Sequence, residues 1–214
     1  MIHTLEYDEI LDLLKPSNPM PFRTRSLITF QYASSSRIGE LLDYDHTLVS
    51  PKETKEEKAY YQKHPEGRNY IHTHTNGLLK SNIFIGPKRI SWKMPNFKTK
   101  NKNKQFKEPF VLKEENLLWR IITKWLSMCG EQVFELRESR ARQLVREQLK
   151  PYSSHILRKS RGTHLANIFG YNSYDIRDAL GHVSLESGTH YISTAGRENK
   201  MREKLLEMEL GKNV

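Results

Sequence analysis

The residues from His155 to Tyr191, HILRKSRGTHLANIFGYNSYDIRDALGHVSLESGTHY, leave little freedom to the fold. Glycines at 170 and 181 cut the stretch into three helix-like pieces, since glycine readily takes the left-handed conformation in which helices end. The first piece follows Ser153 and Ser154, either of which can cap it, and carries His155 and Arg158. At i, i+3 these two side chains project from one helix face toward a common point. The second piece runs from Ser173 to Leu180, and Gly181 lets the chain reverse and present His182. The third, capped by Ser184, carries Tyr191 near its C-terminal end. The stretch therefore supplies two imidazoles, a permanent cation and a phenol, with no cysteine and no carboxylate pair at matching spacing. Such a set suits a phosphate diester better than a metal ion or a peptide.

The rest of the chain reads as mainly helical with one small antiparallel sheet. Residues 3 to 14 form a short helix ended by Pro16 and Pro19. Residues 23 to 42 read as helix, polar break at SSS, then helix, with Ile38, Leu41 and Leu42 turned to a core and Arg37 at the break. From Asp43 to residue 76 the sequence turns polar and reads as an insertion, helical at KEEKAYYQK. His72 and His74 share one strand face, but with no third ligand nearby the expectation is a surface strand and no metal.

Residues 78 to 112 predict a three-stranded meander: LLKSNIFIG, a turn at Gly86 to Arg89, ISWKMPNFK, a polar tip, and FKEPFVL. From Lys88 to Lys107 there are eight Lys or Arg and no acid. A hairpin so basic repels itself unless an anion neutralises it, which predicts that it lies along a phosphate backbone. The expected contacts are Lys88, Arg89, Lys93, Lys100, Lys102, Lys104 and Lys107, joined by Lys159 and Arg161. Leu118, Ile122 and Leu126, beside Leu117, Ile121 and Trp125, mark a core helix, and ESRARQLVREQLK makes another, ended by Pro151.

In these motifs the chain resembles the catalytic domains of the tyrosine recombinases, or phage-type integrases. HILR matches the family's H-x-x-R, LGHVSLESGTHY matches its L-G-H with a tyrosine nine residues on, and ITFQYASSSRIGELL matches the helix-Arg-helix box with a Glu three residues after the Arg. The match covers most of residues 22 to 195. It implies an α+β, mainly α-helical fold in a single catalytic domain, with residues 196–214 as a helical tail; the chain departs from the family in that no N-terminal DNA-clamping domain is expected, with about twenty residues before the catalytic box. It also implies catalytic roles for Arg37, His155, Arg158, His182 and Tyr191. The family's hairpin lysine falls best on Lys98, with Lys100 and Lys93 as rivals, because a one-residue slip of register would change the face. The tail, with Met201, Leu205 and Met208 at i, i+4, i+7, is expected to dock onto a neighbouring protomer in a tetramer on double-stranded DNA.

A tyrosine has a reference pKa of about 10, so its attack on phosphorus needs a base or nearby cations. His155 is available as that base, Arg37 and Arg158 as a clamp on the non-bridging oxygens, His182 as a further donor, and Lys98 as the acid for the leaving 5′-oxygen. No cofactor or metal is called for. Two other readings stay open: a type IB topoisomerase or telomere-resolvase-like enzyme, and a non-catalytic DNA-binding protein.

Composition agrees. A formal charge of +10 and a pI near 9.6 point to a polyanionic partner. The single cysteine, Cys129, excludes an internal disulfide. Acidic residues stand in MIHTLEYDEI where a secretory signal needs a basic start, and no apolar run nears the roughly 20 residues of a membrane span. The expectation is a cytoplasmic, nucleoid-associated protein of a virus or other mobile element.

Overall fold

The computed structural model describes residues 4–49, 54–64, 66, 70–95 and 106–180, of which 44–49, 70–75 and 95 are described by backbone alone. Lys98, Lys100, Lys102, Lys104, His182, Ser184, Tyr191 and the tail lie outside the described residues.

Helix α1 (Tyr7–Leu14) opens with a reciprocal cap between Glu6 and Glu9 and buries Ile10 and Leu14. Helix α2 (Phe22–Ala33) follows and is the centre of the molecule, with every residue from Thr24 to Ala33 buried. A helix enclosed on all sides shows no apolar stripe, and this one bonds several of its polar side chains to nearby backbone, while Arg25 Nε and Gln31 Oε1 are buried without a hydrogen-bond partner among the described residues. Ser26 Oγ donates to the Phe22 carbonyl at 2.8 Å, Thr29 Oγ1 to Arg25 at 2.8 Å, and the Arg25 guanidinium to the Asn18 carbonyl at 2.8 Å. After the serines, the expected second helix shrinks to a 3-10 turn at Ile38–Glu40. Ile38, Leu41 and Leu42 are nonetheless in the core; the turn aims them inward without a full helix.

Strands β1 (Tyr44–Val49) and β2 (Tyr70–Thr75) pair antiparallel from Tyr44↔Thr75 to Val49↔Tyr70. Between them lies α3 (Lys55–Lys63), capped by Thr54 and burying none of its residues. The polar stretch is thus a hairpin with a helix in its loop; β2 was legible, β1 was not.

The three-stranded sheet has the order β3 (Ile83–Ile85), β4 (Arg89–Trp92), β7 (Phe110–Leu112), all antiparallel. Ile90, Trp92 and Val111 face the core. The hairpin continues as a two-stranded ribbon, β5 (Met94–Pro95) with β6 (Phe106–Lys107), in which Met94 opposes Lys107. Helix α4 (Asn116–Met128) packs on α2 through Leu118, Ile121, Ile122 and Leu126; burying such side chains stabilises by roughly 2 kcal/mol each. Cys129 is half-buried at its end. Helix α5 (Glu138–Leu149) turns Ala141, Val145 and Leu149 inward and its arginines outward.

Helix α6 (His155–Asn167) packs on α2, and α7 (Ser173–Leu180) packs on α6. Ser154 occupies the cap position of α6 but its hydroxyl makes no capping bond, so the cap read from sequence is there in position only. At the other end Gly170, at φ 77°, lets the Tyr171 N–H return to the Leu165 carbonyl at 2.9 Å. No described helix is long and apolar enough to cross a membrane.

Candidate active site

Ser34, Ser35 and Ser36 end α2 with their side chains fully buried. The Ser36 N–H reaches back to Gln31 at 3.1 Å, a closure that places Ser35 at φ 50°, where glycine is usual. This left-handed residue points its carbonyl at Arg158, which donates to it through Nη1. Arg158 Nη2 donates to the carbonyl of Leu180 at 2.8 Å. One guanidinium thus joins the end of α2, the first turn of α6 and the last turn of α7, and its fork geometry suits two carbonyl acceptors. His155 opens the same helix, one turn before Arg158, and is exposed.

Arg37 follows the serines. Its Nη1 donates to Glu40 Oε1 at 3.0 Å and its backbone N–H to Oε2 at 3.1 Å. The Glu40 side chain is wholly buried, whereas that of Arg37 is 36% exposed. The remaining donor to Glu40 comes from the hairpin: Lys107 Nζ donates to Oε2 at 2.8 Å, with neither side chain exposed.

Burial alone would push the Glu40 carboxyl up, but Lys107, then Arg158 and Arg37, hold it below its usual value. Burial pushes the Lys107 ammonium down to about 8, with Glu40 opposing and Arg158 and Arg37 adding to the depression. Both directions follow from one geometry: among the described residues, three cations, of which Arg37 alone reaches solvent, surround one buried carboxylate.

Sequence-predicted Arg37 and Arg158 are therefore brought together around Glu40. Leu180, whose carbonyl Arg158 holds, stands two positions before His182 in the sequence. Lys88, Arg89 and Lys93 are exposed, with Lys93 Nζ 4.7 Å above the ring of Phe106, and Lys159 is half-buried.

Two expected DNA contacts are corrected. Lys107 is 3% exposed and spent on Glu40 because β6 alternates: Phe106 faces out and Lys107 in. Arg161 is 1% exposed, bidentate to Glu115, and stacked 5.3 Å from the rings of Tyr32 and Phe169. It ties α6 to the start of α4 rather than to a phosphate. The sequence reading noted Glu40 without giving it a role; the R-x-x-E spacing was the available signal. Nothing in the sequence marked the carbonyls of Ser35 and Leu180.

A further polar group on α6 lies beside Arg161. Ser160 Oγ accepts from the Leu5 N–H at 2.9 Å, and His164 Nε2 donates to the Leu5 carbonyl at 2.9 Å. Its Nδ1 accordingly accepts from the Tyr32 hydroxyl at 2.7 Å. Burial holds this imidazole down at about 4, so it stays neutral.

No protein-family model matches the sequence, and no curated protein matches it. Solved structures do. XerA recombinase superposes with a TM-score of 0.59 at 14% identity, over 95% of this chain and 65% of that one. XerH site-specific recombinase, bound to palindromic difH substrate in a post-cleavage complex, gives 0.55 at 14% identity, over 95% of this chain and 52% of that one. A lambda integrase dimer bound to a COC′ core site gives 0.54 at 15% identity, over 91% and 49%. The chain spans about half to two thirds of the length of these proteins. At such identity the likeness is one of fold, and the fold is that of the tyrosine-recombinase catalytic domain.

Proposed function

We propose that this chain, folded as a tyrosine-recombinase catalytic domain, cuts and rejoins double-stranded DNA through a covalent bond to Tyr191. The observation that carries the reading is the proximity of two guanidiniums, Arg37 bonded to the buried Glu40 carboxylate and Arg158 bonded to the carbonyls of Ser35 and Leu180, near enough that both help hold Glu40 ionised. Two of the solved neighbours are bound to a site, XerH to its difH substrate and lambda integrase to a core site, and this supports a DNA site as the partner here.

In this reading the scissile phosphate meets Arg37 first, the member of the cluster open to solvent, with Arg158 behind it. Their charges stabilise the two non-bridging oxygens as negative charge gathers on the phosphorane-like transition state. The Tyr191 oxygen bonds to phosphorus while its proton passes to His155; the bond from phosphorus to the 5′-oxygen breaks, and that oxygen takes a proton from Lys98. His182 follows Leu180 by two residues, a reach of about 7 Å at most, and serves as a further donor. The products are a 3′-phosphotyrosyl ester and a 5′-hydroxyl. Religation reverses each step with no nucleotide consumed, since the ester retains the bond energy.

Lys88, Arg89, Lys93, Lys100, Lys102, Lys104 and Lys159 supply backbone contacts, and residues 196–214 join protomers into a tetramer on DNA. The deciding experiment is a nicked duplex that traps the intermediate. An adduct that survives denaturant and is absent in Tyr191→Phe is expected. Its absence in the unaltered protein would leave a non-catalytic DNA-binding protein. Resolution of a Holliday junction then separates a recombinase from a topoisomerase, which would only relax supercoils.

A further inference from the structure

Lys107 was the most sequestered cation of the hairpin and the only one whose partner is a residue of the arginine cluster among those the structure describes. We infer that Lys107 is a positioning residue for the strand-cleavage step: it neutralises Glu40, so that the carboxylate can orient Arg37 without cancelling the charge that the phosphate needs.

The inference rests on the cleavage reading above, and its physical basis is a division of labour at Glu40. One oxygen, Oε1, takes the Arg37 guanidinium; the other, Oε2, takes the Arg37 backbone N–H and the Lys107 ammonium. Glu40 thus fixes Arg37 at both ends, backbone and head. A buried carboxylate so close would by itself offset one of the two guanidinium charges. Among the described residues, Glu40 leaves the two guanidiniums one net positive charge, and Lys107 restores the second. A phosphodiester attacked by an oxyanion carries two negative charges at the transition state and one before it. The additional positive charge therefore favours the transition state over bound DNA.

The same contact has a mechanical side. Lys107 is on β6, opposite Met94, and the Ser36 hydroxyl lies 3.2 Å from the Met94 sulfur. The base of the basic hairpin is thereby joined to the Ser36–Glu40 segment at both of its strands. The lysines of the hairpin tip are covalently continuous with this anchored base.

The test is single-turnover cleavage of the nicked duplex by the full chain, at saturating DNA and with folded fractions matched by near-ultraviolet circular dichroism. Lys107→Gln is expected to slow adduct formation by about tenfold or more while changing DNA affinity by less than about threefold. Adding Glu40→Gln restores the net charge of +2, and the double variant is expected to recover about tenfold over the single. A single variant that cleaves at the unaltered rate, or a double variant no faster than a crippled single, overturns the inference. If Lys107→Gln does not fold, the double variant decides alone: cleavage below about a hundredth of the unaltered rate overturns it. If the unaltered protein forms no adduct, the cleavage reading fails separately. The charge balance is then read from thermal stabilisation by orthovanadate, which the single variant should lose and the double regain; equal stabilisation of all three overturns the inference.

Discussion

Arg158 and Leu180 are joined by a 2.8 Å hydrogen bond from guanidinium to carbonyl, while the same guanidinium donates to Ser35. The side chain is 3% exposed, so its orientation is set by the protein before any phosphate arrives. A lysine has one ammonium and no fork, and cannot hold both carbonyls in this geometry. Arg158→Lys is expected to lower adduct formation by roughly a hundredfold or more with a smaller effect on DNA affinity, measured by single-turnover cleavage and by fluorescence anisotropy.

Ser35 adopts a backbone conformation that disfavours any side chain by roughly 1–2 kcal/mol. Ser35→Gly is therefore expected to leave stability unchanged or raise it by up to about 1 kcal/mol, and Ser35→Val to lower it by about 2 kcal/mol or more, in urea unfolding. The valine variant should also lose cleavage out of proportion to its folded fraction, because the displaced carbonyl is one that holds Arg158.

Arg161 and Lys93 make opposite predictions. Arg161 is buried against Glu115, and removing one partner of such a pair costs about 3–5 kcal/mol. Arg161→Met should unfold at correspondingly lower urea, yet bind DNA with an unaltered salt dependence in conditions where it is folded. Lys93→Ala should leave stability nearly unchanged and reduce the slope of log affinity against log salt by about one.

His164 sets an acid limit on stability. Its folded value of about 4 lies below the ordinary 6.5, so between these values the unfolded chain binds a proton that the folded chain does not. The linkage sign follows: stability is whole above about pH 6.5 and falls as pH drops toward 4, by roughly 2–4 kcal/mol. Urea titrations across this window should show the loss, and His164→Gln, which does not titrate, should flatten it.

Helix α3 buries no residue, and its hairpin closes at Val49↔Tyr70. Replacing residues 50–69 by an Asn-Gly turn should preserve the fold and change stability by less than about 1 kcal/mol, as checked by circular dichroism and thermal melting.

The elements that declared themselves in the sequence were those with one wet face. Leu118, Ile122 and Leu126 gave α4 its period, and Ser173 to Leu180 was bounded by its own punctuation, with α7 matching it residue for residue. Helix α2 was recognisable as a helix but not as the centre, because hydroxyls bonded to their own backbone look in a sequence like surface residues. Arg37 and Arg158 were legible through motif spacing. Glu40, Lys107 and Arg161 were not legible in their roles, since a cation destined for a buried carboxylate and one destined for a phosphate are the same letter. Only the alternation of β6, Phe106 out and Lys107 in, separates them, and a two-residue strand is too short to announce its period.

The clamp on Leu5 has a consequence for synthesis. Its two partners, Ser160 and His164, lie 155 and 159 residues further along the chain. At ribosomal speeds of about 5–20 residues per second, that separation amounts to roughly eight to thirty seconds. For that interval the segment around Leu5 has been translated but its anchor has not, so the latch on Leu5 closes only when the arginine-bearing helix leaves the exit tunnel.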